Sequence, residues 1–233
     1  MTQAATATAA PTARPTVRFQ VLGDAWSLYR MEWLTWSLTT LAAIAAAGTG
    51  ELILRIVWLA ARSSYFGWFL GHGSPDDSFL FWLVRISIAG LLAGGAVRMA
   101  LGQIRGRRPR VMDLFEVPDN WFDLALGSVL MAVLVSFGLA VLVIPGLIAA
   151  GLLMLTFPLI VDADLPATGA MIKSYHTLKA EWLPVTIFHL FLAAAAGCGV
   201  FFLGVGVLVT APLYVLSLAL FYEEIGRRGY SQL

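Results

Sequence analysis

Three ionisable residues lie inside apolar stretches, where their charges could do chemistry within a membrane: Glu51, Arg55 and Arg85. Such residues are often functional, because a charge is costly to hold at membrane depth. Glu51 precedes Arg55 by four residues, the favourable order for an ion pair on a helix. Counted along two adjacent helices, Glu51 and Arg85 reach similar depths, so we expect them to pair. Two interpretations stay open, a functional group and a structural pair with Arg85 extended towards the headgroups.

Two pairs of carboxylates end apolar stretches, Asp162 with Asp164 and Glu223 with Glu224. Residues two apart do not share a helix face, which argues against a paired acid and base at Asp162 and Asp164. The interpretation we favour is that both pairs mark helix ends outside the membrane.

One histidine and the single cysteine fall on the same apolar stretch, His189 and Cys198. Because both would lie on one helix far apart in sequence, they do not form a nucleophile with its base. A haem or chlorophyll ligand is the alternative for His189, and a packed histidine at a helix interface is the interpretation we favour. His72 and His176 are expected on opposite sides of the membrane, so no metal set is predicted. We therefore predict no catalytic residue, no cofactor and no metal.

Four arginines cluster in one polar segment, Arg105, Arg107, Arg108 and Arg110. Basic residues beside a membrane span attract anionic lipid, by about 1 kcal/mol each near the surface. We expect this cluster to contact lipid headgroups, with binding of a partner protein as the alternative.

The composition explains why so few residues can do chemistry. The chain has 233 residues, of which 59% are hydrophobic and 12% charged, against roughly 45–50% and 25% in soluble domains. With a mean hydropathy of +0.82, the chain cannot cover a soluble surface, which predicts a polytopic membrane protein. The 15 basic and 14 acidic residues exclude nucleic-acid binding by bulk charge. One cysteine excludes a disulfide framework.

The apolar runs provide six membrane spans, since a helix needs about 20 residues to cross a bilayer. Two uncharged runs, 124–161 and 182–222, are about twice that length and must fold back as hairpins. The first has its break at Ile144-Pro145-Gly146, and glycines bracket the middle of the second. The sequence predicts an all-α polytopic membrane helical bundle with spans at about 34–58, 79–103, 122–144, 146–162, 183–201 and 205–223.

The rest of the chain divides simply. Residues 1–16 are rich in Ala, Thr and Pro and are expected to form a disordered tail, 17–228 form the transmembrane domain, and 229–233 form a C-terminal tail. Excess Lys and Arg marks cytoplasmic loops. The basic segments fall on the side of both termini, so both termini are predicted to be cytoplasmic.

An aromatic, amphipathic segment at 17–33 precedes the first span and is typical of a helix lying in the membrane interface. Its end, Trp26 to Leu34, aligns with Tyr175 to Leu183, and both close on Glu-Trp-Leu. The segment from Asp113 to Trp121 resembles both, because it also ends with acidic residues and a Trp before an apolar span. We expect three cytoplasmic interfacial helices, each followed by a helical hairpin. A true duplication and convergence on Trp and mixed charge at membrane surfaces both remain open.

Glycines at helical spacing predict where helices approach one another closely. Gly90, Gly94, Gly95 and Gly127 are such positions, and alanines at 42, 43, 46 and 47 form a similar set. Small residues let helix backbones meet in lipid, where no hydrophobic force drives helices together. We expect these residues to pack the protein's own bundle rather than a dimer interface.

The segment from about 18 to 228 resembles a broad group of bacterial six-helix membrane proteins, which includes the family related to the membrane domain of glycerophosphodiester phosphodiesterases. The features that carry the resemblance are Trp26 to Trp33, Arg105 to Phe115, Ile144-Pro-Gly146, Phe157 to Asp162 and Ala170 to Trp182. The resemblance implies a six-helix fold with cytoplasmic amphipathic linkers in a bacterial inner membrane. It implies no chemistry.

The sequence therefore predicts a non-enzymatic protein, a scaffold or accessory subunit that packs against membrane lipids or other membrane protein subunits. The alternative is a transporter of small molecules or lipid, or another lipid-handling protein. Few polar groups lie near the membrane midplane, which argues against transport. Glu51, Arg85 and the prolines at 145 and 158 argue for it.

Overall fold

The computed structural model describes residues 20–62, 79–116, 118–201 and 204–230. Within these ranges all regular elements are helical, and six helical stretches, two of them counted across a short break or 3₁₀ turn, are long and apolar enough to cross a membrane. The prediction of an all-α, six-span membrane bundle is confirmed. The predicted tail 1–16 and the loop that holds His72 lie outside the described residues.

The helices are numbered here in chain order. The first three are α1 (Gln20–Met31), α2 (Trp33–Arg62) and α3 (Phe79–Ile104). A 3₁₀ turn at Val111–Leu114 precedes α4 (Trp121–Val141), α5 (Val143–Leu152) and α6 (Thr156–Ala163). After α7 (Ala167–Leu178) and a 3₁₀ turn at Lys179–Glu181 come α8 (Trp182–Phe201) and α9 (Val207–Tyr230). Helix α9 continues past the predicted end of the sixth span and into the predicted C-terminal tail.

The glycines of α3 bring it against its neighbours as the spacing predicts. A Cβ on Gly94 would lie 2.6 Å from a methyl carbon of Leu124 in α4, and one on Gly90 would overlap Cβ of Ser128. Gly95 faces the backbone of Leu114 in the 3₁₀ turn, and Gly127 faces Ile160 in α6. These glycines therefore pack the bundle itself.

Both predicted hairpins are present and turn on close backbone contacts. The first turns at Leu142, which is extended, so Pro145 falls in the first turn of α5, where its missing N–H has no partner to lose. A Cβ on Gly138 would lie 2.7 Å from Cα of Gly146 across this hairpin. In the second hairpin Gly204 has φ +76, a backbone conformation that favours glycine.

The fourth span, predicted as one helix at 146–162, contains a break. Helix α5 ends at Leu152 and α6 starts at Thr156. Pro158 disfavours a continuous helix before it, because its ring clashes with the carbonyl four residues back and it has no N–H to donate. The freed carbonyl of Leu152 accepts a hydrogen bond from Ser174 Oγ in α7 at 2.6 Å. This bond ties the break to α7.

Two of the three predicted helices before hairpins are present. Helix α1 leads into α2 and packs mainly on α9, and α7 leads through a 3₁₀ turn into α8. The third prediction is wrong, since the described residues of the segment, 113–116 and 118–121, hold only the end of the 3₁₀ turn Val111–Leu114 and the start of α4. Its Pro118 and the polar residues around it favour turns over helix.

The two aligned segments share a pattern of burial. At one aligned position Tyr29 and Leu178 are buried, at 5% and 0% exposure. At another, Trp33 and Trp182 are exposed and begin a span in each copy. The alignment therefore extends from sequence to packing.

Candidate functional site

The ionisable residues at membrane depth form one cluster on α2 and α3. Glu51 Oε2 accepts a hydrogen bond from Arg85 Nε at 2.6 Å, and Glu51 Oε1 accepts one from Arg85 Nη2 at 2.5 Å. Arg55 Nε donates to the same Oε1 at 2.8 Å. The paired geometry between Arg85 and Glu51 is the fork that guanidinium and carboxylate form when they bind through two parallel bonds. One carboxylate thus holds two arginines.

A cavity of about 500 Å³ reaches this cluster from between α2, α3 and α9. Its polar lining consists of Thr40, Glu51 and Arg85, and the remaining lining is Ala, Leu, Ile and Val. Helix α2 is held loosely here, because no residue from 40 to 57 is buried. The alanines at 43 and 47 line the cavity and do not close it.

A second charged cluster joins the ends of α3 and α6 to the side of α9, at what we call the basic end of the bundle. Arg105 Nη1 and Nη2 donate to the two carboxylate oxygens of Asp162 at 2.5 and 2.9 Å, and Arg105 Nε donates to Glu223 Oε1 at 2.7 Å. The hydroxyl of Tyr222 also donates to Asp162, at 3.0 Å. The bond to Asp162 raises the pKa of the Arg105 guanidinium above its ordinary range, because the carboxylate favours the charged form.

This cluster gives three of the predicted residues partners within the bundle. The Arg105 guanidinium binds Asp162 and Glu223, and its contact with headgroups or a partner protein stays a prediction. Asp162 lies in the last turn of α6, as expected of a helix end, whereas the prediction of a helix end at Glu223 is wrong, because α9 continues to Tyr230. Asp164 points elsewhere, as its spacing predicts, and accepts a hydrogen bond from Asn120.

The other three loop arginines surround a separate cavity of about 350 Å³ at the basic end. They share its wall with Arg98 from the last turns of α3, a residue that the sequence analysis did not single out. We call this cavity the arginine pocket, and its charged lining is Arg98, Arg107, Arg108, Arg110, Asp113 and Glu116. Arg98 Nη2 lies 3.4 Å from the carboxylate of Glu116.

A buried amide joins three helices beside this pocket. Gln103 Oε1 accepts a hydrogen bond from Trp36 Nε1 in α2 at 2.6 Å, and its Nε2 donates to the carbonyl of Leu28 in α1 at 2.9 Å. Trp36 is 1% exposed. Nothing in the sequence indicates that Gln103 joins three helices. It is simply the last polar residue before the basic loop.

The histidine and cysteine do not assemble into a site in the part of the chain described. His189 contacts the ring of Tyr214, with ring centroids 6.1 Å apart, and Cys198 is exposed. Among the described residues no group of three or more His, Cys, Asp or Glu side chains could hold a metal ion.

Comparison with known proteins adds no assignment to this geometry. No family model, no curated protein and no solved structure matches the chain.

Proposed function

We propose that the protein is a non-enzymatic component of a bacterial inner membrane, a scaffold or accessory subunit that packs against lipid or a larger membrane complex. Both termini lie on the cytoplasmic side in this proposal, because the basic loops are on their side of the bundle. Helices α1 and α7 would lie in the interface there, with Trp26, Trp33, Tyr175 and Trp182 exposed at its level.

The observation that carries the proposal is the surface of α2. Eighteen consecutive residues, 40 to 57, include none that is buried, whereas 56% of the most apolar stretch of the fourth span is buried. Ala45, Gly48 and Thr49 are exposed on this surface, and nothing lies within 4 Å of a Cβ built on Gly48. Exposed small residues at this spacing let a second helix approach closely in lipid.

The experiment is purification of the full chain from membranes in mild detergent, with a Gly48→Leu variant alongside. We expect a stoichiometric membrane partner to remain bound to the unmodified chain and to be lost from Gly48→Leu, which fills the gap on α2. Gly23→Leu is the matched control, because Gly23 on α1 is equally open. A lone monomer, or a partner that Gly48→Leu retains, contradicts the accessory role.

The cavity beside Glu51 and Arg85 favours a second candidate, a lipid-handling protein or small transporter. Transporters place polar and ionisable groups near the midplane, where they line a cavity. Here two charged residues and one threonine meet an otherwise aliphatic wall. The test is movement of a fluorescent phospholipid between leaflets of proteoliposomes. Transport that Arg85→Leu abolishes supports this candidate, and a rate equal to that of empty liposomes contradicts it.

A further inference from the structure

The arginine pocket carries an inference that goes beyond packing in a membrane. Four arginines face two carboxylates around a cavity of about 350 Å³, which falls in the range of small-ligand sites, roughly 300–1,000 Å³. Within the described part of the chain, the guanidinium groups of Arg107, Arg108 and Arg110 make no ion pair. The pocket therefore holds an excess of positive charge.

The first wall of the pocket is built by the way α3 ends. The N–H of Gly106 bonds to the carbonyl of Gln103 and the N–H of Arg107 to that of Gly102, with Gly106 at φ +85. These two bonds and the positive φ form a Schellman motif, which turns the chain back on the helix. The Arg107 side chain then lies against Gly102, where a Cβ would be 3.2 Å from Nη2.

The second wall is fixed by the 3₁₀ turn. Asp113 Oδ2 accepts a hydrogen bond from the backbone N–H of Arg110 at 3.0 Å, which sets the start of the turn. Leu114 is buried against Gly95 of α3. Arg98 donates to the carbonyl oxygens of Asp113 and Glu116 and so ties the far side of the turn to the same helix. The pocket is a folded structure rather than a run of charges.

The charge and the donor geometry identify the chemistry of a ligand. A guanidinium presents parallel N–H donors that match two oxygens of a phosphate, and several arginines together favour a dianion or diester phosphate over a single carboxylate. The acidic groups of the wall are already occupied, Asp113 by the Arg110 N–H and Glu116 by Arg98.

The position of the pocket identifies the source of the phosphate. Arg98 lies in the last turns of a membrane span, and the loop beside it exposes Met112 at 74% and Phe115 at 42%. Apolar side chains beside a basic pocket at the end of a span suit the boundary between headgroups and acyl chains. We propose that the arginine pocket binds the phosphate of an anionic phospholipid headgroup. The inference rests on the proposed membrane role of the protein.

The test measures lipid bound to the purified full chain by native mass spectrometry. Phosphatidylglycerol, phosphatidylcholine and inorganic phosphate are the probes. We expect phosphatidylglycerol to bind in preference to phosphatidylcholine. The variant Arg107→Gln, Arg110→Gln should lose about tenfold or more in affinity for phosphatidylglycerol, as two basic contacts disappear. Arg30→Gln is the matched control, an exposed arginine outside the pocket, and should bind as the unmodified chain does.

A charge-preserving variant separates a built site from diffuse attraction. Arg107→Lys, Arg110→Lys keeps both charges and loses the paired donors, so we expect weaker binding than in the unmodified chain. Full binding by this variant, or by the glutamine variant, overturns the proposal. Displacement of the lipid by inorganic phosphate at equal concentration overturns the lipid source. Partner capture by α2 is measured separately, so failure of either proposal is distinguishable from failure of the other.

Discussion

Glu51 and Arg85 meet across the first helical hairpin, with both carboxylate oxygens of Glu51 accepting bonds from one guanidinium. The two residues are 34 positions apart and lie on different spans. Because lipid offers no hydrogen bonds to either group, each residue lowers the cost of holding the other at this depth. The pair also links α2 to α3 where α2 is otherwise loosely held.

Removing one member of this pair should destabilise the bundle more than removing both. We expect Arg85→Leu and Glu51→Gln each to lower Tm in detergent, because each leaves a charge without its main partner. The double variant should recover part of the loss. Arg55→Gln is the control and should have a smaller effect, since it removes one bond of an i, i+4 pair on a more exposed side chain. Additive losses in the double variant would contradict this coupling.

Arg105 should matter for stability and its neighbour Arg108 should not. Arg105 joins α3 to α6 and α9 through Asp162 and Glu223. We expect Arg105→Gln to cost about 1 kcal/mol, reduced from the value for a buried charged hydrogen bond because the side chain is half-exposed. Arg108→Gln removes the same charge from the same loop but breaks no ion pair among the described residues, so it should leave stability unchanged. Thermal unfolding of the two variants in detergent compares them, and equal Tm values would contradict the role given to Arg105.

The sequence predicts those features that depend on the length of an apolar run or on the depth of a residue within its membrane span. The spans follow from uncharged runs, and the meeting of Glu51 with Arg85 follows from counting residues along two adjacent helices. The partners of Arg105 lie 57 and 118 residues away. Asp162 and Glu223 each follow directly on a long uncharged run, where a charge is expected for other reasons, so nothing in the sequence joins them to Arg105.

The arginine pocket escaped prediction for a different reason. Arg98 lies inside the predicted second span, 79–103, close to the basic loop that follows, and nothing in its position sets it apart from the loop arginines. Its partners include backbone carbonyls, which leave no mark in the sequence. The 3₁₀ turn that brings Arg110 close to Arg98 depends on Asp113 and on the close approach of Leu114 to Gly95.

Gly95 should tolerate no side chain. A Cβ at this position would overlap the carbonyl group of Leu114, which is backbone and cannot rotate away. We expect Gly95→Ala to destabilise the protein by about 1–3 kcal/mol, as overpacking usually does. The new methyl group in Gly23→Ala on α1 meets nothing within 4 Å. This variant should leave the stability of the protein unchanged or raise it by up to about 1 kcal/mol, because Ala has a higher helix propensity than Gly. Unfolding in denaturant measures both, and an unchanged Gly95→Ala would contradict the close packing of the 3₁₀ turn on α3.

Gln103 should be required because it satisfies buried groups on two other helices. In Gln103→Leu, Trp36 Nε1 loses its acceptor and the carbonyl of Leu28 loses its donor. A buried polar group without a partner costs about 1–3 kcal/mol, so we expect a clear loss of stability with little change in volume. Combining Gln103→Leu with Trp36→Phe removes the orphaned indole N–H, and this double variant should be more stable than Gln103→Leu alone. Thermal unfolding followed by circular dichroism tests the order, and a double variant less stable than Gln103→Leu would show that packing of the Trp36 ring outweighs its hydrogen bond.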